Sequence, residues 1–473
     1  MGNQLVRTVG LWPTVATAVG IVVASTSMVS LGQGFGIAGP GFIIAMVCAM
    51  LLNLFVAFSF SELSSIIPRA GGINHYTLPT MGPFVGMISV ISGYLLVNMF
   101  AGSAEASIAG FVVSDVFLPS VPPALISVIF VVILGLINIR GIRLYSWVQL
   151  VLTILLIGSL VIIGLIGLTG TGTGEPLETT LDFNTMGWGI FGLTALAFWL
   201  FVGIEFVCPM AEEIKKPRLY IPLSMILALL IILITDIIYG FASIRYVPVD
   251  QLANSESPHV LAATAILSRT GQIWIGIITV LATVSTINTL IMAISRMLYS
   301  MAHEGQLPKI FGRLNRWGSP WFSTVFMTAI FCIFIIAGIA TAESITALIL
   351  AGAFCWFVTY IIAHLNVIIL RYKYPNVKRT FKSPLGITFQ VIGILGMLYM
   401  MVNIFPEPDV KSQIYRFALL FLALTVLYAL LWVKFVMKKG LFEITPLEKL
   451  LEEVNLPDDE AQDLPDEGST VKA

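Results

Sequence analysis

A carboxylate stands inside an apolar stretch at residues 194–222. The stretch reads TALAFWLFVGIEFVCPMAEEIKKPRLYIP and carries Gly203 and Glu205 near its centre. An ionisable side chain in an apolar run long enough to cross a membrane is costly and marks a functional site by default. Gly203 predicts a break in the helix, and broken helices in membranes occur where backbone lines a cavity. The stretch ends in a charged cluster that runs from Glu212 to Arg218.

Three roles are open for Glu205. It can pair with a cationic substrate, carry a coupling proton, or act as a neutral structural acid bonded to the backbone of the broken helix. Trp199 and Phe201 lie just before the predicted break, where they can close over a bound molecule. An aromatic face holds an ammonium group at about 0.5–2 kcal/mol, although ordinary packing is the alternative for both rings.

A second interruption lies near the N-terminus, in the apolar run TAVGIVVASTSMVSLGQG. Its middle carries Ala24, Ser25, Thr26 and Ser27. These residues either mark a second helix break or bond back to the helix four residues earlier. An unwound backbone has free N–H groups at one half-helix end, which can bind a carboxylate, and free C=O groups at the other, which can bind an ammonium or a cation.

Glu105, directly after Ala104, is another carboxylate in an apolar run. Small residues line one face of this run, as helix packing in lipid prefers. Two carboxylates at mid-membrane favour a cationic amine as cargo, because an ammonium group offsets their charge. The alternative for Glu105 is a structural hydrogen bond to a neighbouring helix.

The composition is that of a polytopic membrane protein. Of 473 residues, 58% are hydrophobic and 11% are charged, whereas a soluble domain has about a quarter charged residues. The four cysteines lie in apolar runs without the spacing of metal ligands, and the four histidines are scattered. The sequence therefore offers no catalytic array, and we expect no enzyme activity, metal site, cofactor or nucleic-acid partner.

With a spanning length of about 20 residues, the sequence predicts an all-α membrane protein with 12 transmembrane helices. The predicted spans are 10–32, 40–67, 82–113, 123–139, 146–168, 187–213, 220–243, 272–302, 321–340, 344–372, 384–404 and 413–439. If the N-terminus is cytoplasmic, 21 of the 25 Lys and Arg residues fall on the cytoplasmic side, which predicts that both termini are cytoplasmic. The segment 440–473 carries a net charge of −8 and is either a solubilising tail or a regulatory flap.

The two interruptions fall in spans one and six, five spans apart. Interrupted helices at matching positions of two halves are typical of inverted-repeat transporters, which bind their cargo at the midplane. The predicted organisation is a first repeat at 1–168, a second repeat at 187–372, two extra helices at 384–439, and the tail.

Four motifs between the spans resemble those of the amino acid–polyamine–organocation superfamily. They are RAGGINHY at 69–76, NIRG at 138–141, EEIKKPR at 212–218 and GQLPK at 305–309. The resemblance covers about residues 10–440. It implies a LeuT-like fold, with two five-helix inverted repeats and two additional helices, alternating access, and amino acid or amine cargo.

The resemblance also implies site residues. Those predicted to bind substrate are Ala24, Ser25, Thr26, Ser27, Ala104, Glu105, Trp199, Phe201, Gly203, Glu205 and Asn288. Candidates to hold a coupling ion, H⁺ or Na⁺, are Glu205, Ser285 and Thr286. The sequence departs from the family at the first break, where Ala24-Ser25-Thr26 replaces the usual Gly-Ser-Gly. Thr153 stands where some proton-coupled relatives carry a lysine.

These observations predict a secondary transporter of small amino acids or amines in a cell membrane, by exchange or proton-coupled symport. A cationic amine is one cargo class. A neutral amino acid carrier with structural carboxylates is the alternative, and a channel or a membrane enzyme is a rival of a different class. The cargo, the coupling ion and the oligomeric state are not determined by the sequence.

Overall fold

The structure is a computed structural model that describes residues 7–69, 71–140, 143–178, 182–211, 213–339 and 344–452. Ala70, Gly141 and Glu212 of the sequence motifs lie outside the described residues, as do residues 453–473 of the predicted tail. Within the described ranges the chain is helical, and its β-type pairing is a single bridge between Val9 and Ile214.

The first half contains eight helices. They are α1 (Leu11–Val22), α2 (Ser25–Ala38), α3 (Phe42–Ile66), α4 (Ile73–Thr77), α5 (Gly82–Val90), α6 (Ser103–Val116), α7 (Pro123–Asn138) and α8 (Arg143–Thr169). Two π-helical stretches, Ile91–Leu96 and Asn98–Gly102, join α5 to α6 into one long element. The wide π turns re-aim the side chains that follow them, and such turns are frequent at functional sites.

The second half begins with a 3₁₀ stretch, Gly187–Leu193, and a second 3₁₀ stretch, Ile204–Met210, follows the first of its helices. The helices are α9 (Thr194–Phe198), α10 (Pro217–Tyr246), α11 (Val249–Asn254), α12 (Pro258–His303), α13 (Trp321–Ile336), α14 (Ile345–Lys373), α15 (Thr388–Val402), α16 (Pro408–Leu431) and α17 (Leu447–Glu452). A π-helical stretch, Trp432–Met437, extends α16.

The helices match the predicted spans to within a few residues at most ends. Seven stretches of the described chain are long and apolar enough to cross a membrane, and five shorter apolar helices lie at other predicted spans. Helix α12 contains two helices joined at a kink, Leu267 and Ser268, and the part after the kink begins within a few residues of the predicted start at 272. The kink arises because Ser268 adopts a φ of 54°, which an α-helix does not accommodate. The described chain is therefore an all-helical membrane protein.

Both predicted interruptions are breaks in the structure. Helix α1 ends at Val22, Ala24 is extended with φ −95° and ψ 166°, and α2 begins at Ser25. The second break follows α9, where Gly203 has a φ of 108°. That conformation favours glycine because a Cβ would clash with the backbone. Helix α1 packs against α8 and α10 and contacts the 3₁₀ stretch Ile204–Met210, so the two breaks lie side by side.

Candidate functional site

A buried cavity of about 30 Å³ lies where the two breaks meet. Five parts of the chain supply its wall: the first break, the π-to-α6 element, the turn after α9, α12 and α14. The lining residues are Ile21, Val22, Ala24, Thr26, Ser27, Val97, Asn98, Ala101, Gly102, Glu105, Trp199, Val202, Thr286, Leu290 and Trp356. The wall is mostly apolar with a few convergent polar groups, which is the composition of a small-molecule site.

Glu105 is the sole charged side chain among the described residues that line the cavity. It is 1% exposed, and its carboxylate binds the first turn of α2. Oε1 accepts a hydrogen bond from the Ser25 N–H and Oε2 accepts one from the Thr26 N–H, both at 2.9 Å. The Thr283 hydroxyl on α12 donates a third bond to Oε1 at 2.9 Å. Glu105 thus satisfies the otherwise open amides of the half-helix, where the helix dipole stabilises negative charge.

The α2 amides are accessible to Glu105 because the chain is extended at Ala24. The first N–H groups of a helix have no partner within the helix, and here neighbouring spans supply one. The Ser25 hydroxyl lies 3.4 Å from the Glu105 carbonyl oxygen, so the backbones of α2 and α6 are also close. The first break and α6 therefore form one buried polar unit.

Two tryptophans form the aromatic part of the wall. The rings of Trp199 and Trp356 are 5.8 Å apart at 66°, an edge-to-face arrangement. The Trp199 indole N–H donates to the Thr26 hydroxyl at 3.2 Å, which ties the ring to the first break. The two rings and the Glu105 carboxylate line the same cavity, and a carboxylate together with aromatic rings is a setting that suits an ammonium group.

Glu205 is fully buried, but it does not line the cavity. The Trp356 indole donates to Oε1 at 2.9 Å, and the Tyr360 hydroxyl donates to Oε2 at 2.8 Å. The Gly203 N–H lies 3.4 Å from the same tyrosine oxygen. The carboxyl group therefore joins the second break to α14 and lies behind the Trp356 ring instead of beside the cavity.

The predicted ion residues Ser285 and Thr286 point at the end of α1. The Ser285 hydroxyl donates to the Gly20 carbonyl at 3.0 Å, and the Thr286 hydroxyl does so at 3.4 Å. The Gln149 side-chain amide donates to the Ser285 oxygen at 2.7 Å. Thr153 donates to the Ala16 carbonyl at 2.9 Å. Neutral donors thus occupy the hydroxyl and carbonyl oxygens that these helices bring together.

The structure brings six of the predicted site residues to the cavity wall and places the others elsewhere. Ala24, Thr26, Ser27, Glu105, Trp199 and Thr286 line it. Ser25 contacts Glu105, and Ala104 and Phe201 are buried outside the lining. Asn288 lies on another face of α12, because its Oδ1 accepts a hydrogen bond from the Asn138 amide at 2.7 Å.

Three residues of the site are not among the predicted site residues. Trp356 lines the cavity, Thr283 holds the Glu105 carboxylate, and Gln149 holds Ser285. Thr283 is visible in the sequence as part of a polar cluster, Trp356 as part of an aromatic face, and Gln149 as a polar residue in an apolar span, but the sequence does not show what each of them contacts. Their partners lie far away in the sequence, and periodicity within one helix carries no information about them.

Comparison with known proteins also indicates an amino acid permease. A family described as amino acid permease matches residues 9–429. A branched-chain amino acid permease of Bacillus subtilis is 24% identical over 429 residues, which cover 85% of this chain and 89% of the relative. The human cystine/glutamate transporter is 24% identical over 401 residues, covering 81% and 78%.

A solved structure supports the fold. A manganese transporter of Eremococcus coleocola superposes with a TM-score of 0.60 at 12% identity, covering 91% of this chain and 98% of that one. At this identity the likeness concerns the fold alone. The two sequence relatives are a permease and a transporter, not enzymes. Since the family match covers most of the chain, this protein is a member of the amino acid permease family.

Proposed function

We propose that this protein is a secondary transporter of small amino acids or amines, and that the cavity between the two breaks is its central binding site. The observation that carries the proposal is the meeting of both breaks around one buried carboxylate and two indole rings. Broken helices in transporters surround the cargo at the midplane of the membrane. The substrate contacts would come from Thr26, Ser27, Glu105 and Trp199, with Trp356 as an addition to the predicted set.

Transport would proceed by alternating access. In this proposal the chain has 12 transmembrane helices with both termini in the cytoplasm of the host cell, and residues 1–168 and 187–372 form a LeuT-like inverted repeat. The Lys and Arg distribution supports this orientation. The cavity has a volume of about 30 Å³. Cargo larger than a single ammonium or carboxyl group therefore requires the wall to move. In this proposal the Trp199 ring, which donates one neutral hydrogen bond to Thr26, is the part of the wall that moves.

The proposed mode is exchange or proton-coupled symport. Glu205 is the candidate proton carrier, since Trp356 and Tyr360, which donate to its carboxylate, are neutral. An Na⁺ ion at Ser285 and Thr286 would have to displace the Gln149 amide from the Ser285 oxygen. This arrangement favours proton coupling or uncoupled exchange over Na⁺ coupling.

A second candidate is a neutral amino acid carrier in which both carboxylates are structural. The hydrogen bonds that each carboxylate accepts from the protein favour this alternative. The names of the relatives, a branched-chain amino acid permease and a cystine/glutamate transporter, are consistent with amino acid cargo. The two candidates differ in whether a positively charged amine without a carboxyl group is carried.

Counterflow in liposomes tests the proposal. Liposomes that contain the reconstituted protein are loaded with an unlabelled candidate substrate. Uptake of the same compound, labelled and added outside, is then followed. The panel comprises putrescine, agmatine, ethanolamine, arginine, GABA, alanine, serine and leucine. A carrier accelerates uptake when it is loaded on the opposite side, whereas a channel does not. If no compound in a broad amine and amino acid panel accelerates uptake by folded protein, the proposed function is wrong.

A further inference from the structure

The Glu105 carboxylate occupies the position at which the start of α2 would bind an external carboxylate. We propose that Glu105 is a built-in substitute for the carboxyl group of an amino acid, and that the transporter therefore selects small amines that lack an α-carboxylate. This inference rests on the proposed function and names its substrate class. It assigns to Glu105 the role of a specificity-determining residue.

The geometry of the carboxylate is that of a bound anion. Its two oxygens each accept one backbone N–H at 2.9 Å, from Ser25 and Thr26. These are successive amides in the first turn of a 14-residue helix, whose dipole favours negative charge there. A substrate carboxylate that bound this break would require the same two donors. Glu105 already holds them, and it is tethered to α6, so it binds without the loss of translational freedom that a free ligand suffers.

The cavity offers no second site that could bind the carboxylate of a substrate. Among the described lining residues there is no Lys, Arg or His. A substrate carboxylate would therefore lie beside the Glu105 carboxylate in a buried space with no cation to separate the two charges. Two like charges in a poorly solvated site disfavour each other strongly.

The same geometry leaves room for one donor from a substrate. A carboxylate has about four acceptor positions. The bonds from Ser25, Thr26 and Thr283 use two on Oε1 and one on Oε2. The remaining position on Oε2 can accept an N–H from an ammonium group, and the rings of Trp199 and Trp356 line the same cavity. The site thus has a contact for the amine of a substrate and none for its carboxylate.

Matched pairs of compounds test this selectivity on the intact protein. Each pair is an amino acid and the amine that remains after loss of its carboxyl group: alanine and ethylamine, ornithine and putrescine, arginine and agmatine, leucine and isoamylamine. At equal concentrations, we expect the counterflow rate of each transported amine to exceed that of its amino acid by at least about tenfold. This is the difference expected for one charge-assisted hydrogen bond. Transport of the amino acids without the amines would overturn this inference but leave the transport proposal standing. If neither these pairs nor any compound of the broader counterflow panel accelerates uptake, transport itself is refuted.

Replacing Glu105 tests the cause. In Glu105→Ala the amides of Ser25 and Thr26 become free, and we expect the preference within each pair to move toward the amino acid by at least about tenfold. The control is Asn288→Ala, which alters a polar residue on another face of α12 and is expected to leave the preference within pairs unchanged. An unchanged preference in folded Glu105→Ala would overturn the inference.

A binding measurement covers the case in which Glu105→Ala reconstitutes poorly. The thermal unfolding of wild-type protein in detergent is followed with and without each member of a pair. We expect the amines to raise Tm in a concentration-dependent manner and the amino acids to leave it unchanged, because a ligand stabilises only the state that binds it. Stabilisation by the amino acids alone would contradict the proposed role of Glu105.

Discussion

The two helix breaks hold their carboxylates in opposite ways. At the first break the carboxylate comes from another span, because Glu105 of α6 caps the amides of α2. At the second break the carboxylate belongs to the break itself, and Glu205 is held by side chains of α14. Glu105 lines the cavity, whereas Glu205 does not. Equal burial of two acids therefore does not give them equal roles.

A third buried carboxylate provides a reference for these two. Glu62 on α3 accepts a hydrogen bond from the Arg371 Nε at 2.8 Å, and the Arg379 Nε lies 3.2 Å from its Oε1. Its charge is balanced by arginines, as in a structural ion pair. In the described residues, only neutral donors reach Glu105 and Glu205. A buried carboxylate without a cationic partner is the one that can interact with a cation from outside the protein.

Glu105→Gln is expected to cause the greatest loss of transport. The carboxamide nitrogen would face a backbone N–H of α2, since each oxygen now accepts from one amide, and a buried unsatisfied donor costs about 1–3 kcal/mol. The ammonium partner is lost as well. We expect the counterflow rate of the best amine to fall by at least about 100-fold and Tm to fall. Wild-type rates in a monodisperse variant would contradict the assignment of Glu105 to the site.

Glu205→Gln is expected to have a smaller effect. The Trp356 indole can still donate to the carboxamide oxygen, and the Tyr360 hydroxyl can rotate to accept from the nitrogen. We expect a loss of about tenfold or less in rate, which corresponds to one hydrogen bond. A loss as large as that of Glu105→Gln would show that the two breaks are functionally equivalent.

The same variant tests proton coupling. If Glu205 carries the coupling proton, uptake driven by a pH gradient disappears in Glu205→Gln while counterflow persists. The comparison of driven uptake with counterflow in the same liposomes measures this. Driven uptake that survives the substitution would exclude Glu205 as the proton carrier.

Gly203→Ala tests the backbone of the second break. The φ of 108° is strained for any residue with a Cβ, at a cost of about 1–2 kcal/mol. Space is not limiting, because the nearest atom to the new methyl group would be a Trp356 ring carbon at 3.5 Å. We expect a lower Tm and slower counterflow. Gly158→Ala is the matched control, because a methyl group added at Gly158 of α8 meets no atom within 4 Å, and a Tm at least equal to that of wild type is expected there.

Thr283→Val is expected to have the least effect of these variants. This substitution keeps the side-chain shape and removes one of the three donors to Glu105, while both backbone amides remain. The loss of one hydrogen bond to a charged group predicts a rise in KM of roughly tenfold at most, with little change in Tm. The KM of the best amine measures this effect. A loss of transport as large as that of Glu105→Gln would mean that the α2 amides are not the main partners that hold the Glu105 carboxylate.

The class of molecule and the positions of both breaks follow from the sequence alone. Composition and hydropathy placed the helices because an apolar span and its polar ends are local properties. Gly203 could be identified as a break because only glycine adopts its conformation without strain. The carboxylates could be identified as exceptional because their cost in an apolar run is visible without any partner.

The contacts of each carboxylate depend instead on how the spans pack in three dimensions. The bond from Thr283 to Glu105 joins residues 178 positions apart, and that from Trp356 to Glu205 joins residues 151 apart. In the sequence, Glu105 and Glu205 are similar acids at similar depth. They differ because side-chain direction depends on neighbouring helices, and the first break lies beside α6 and α12 whereas the second lies beside α14. Helix packing, which periodicity within a span does not encode, therefore placed Glu105 on the α2 amides and Glu205 behind Trp356.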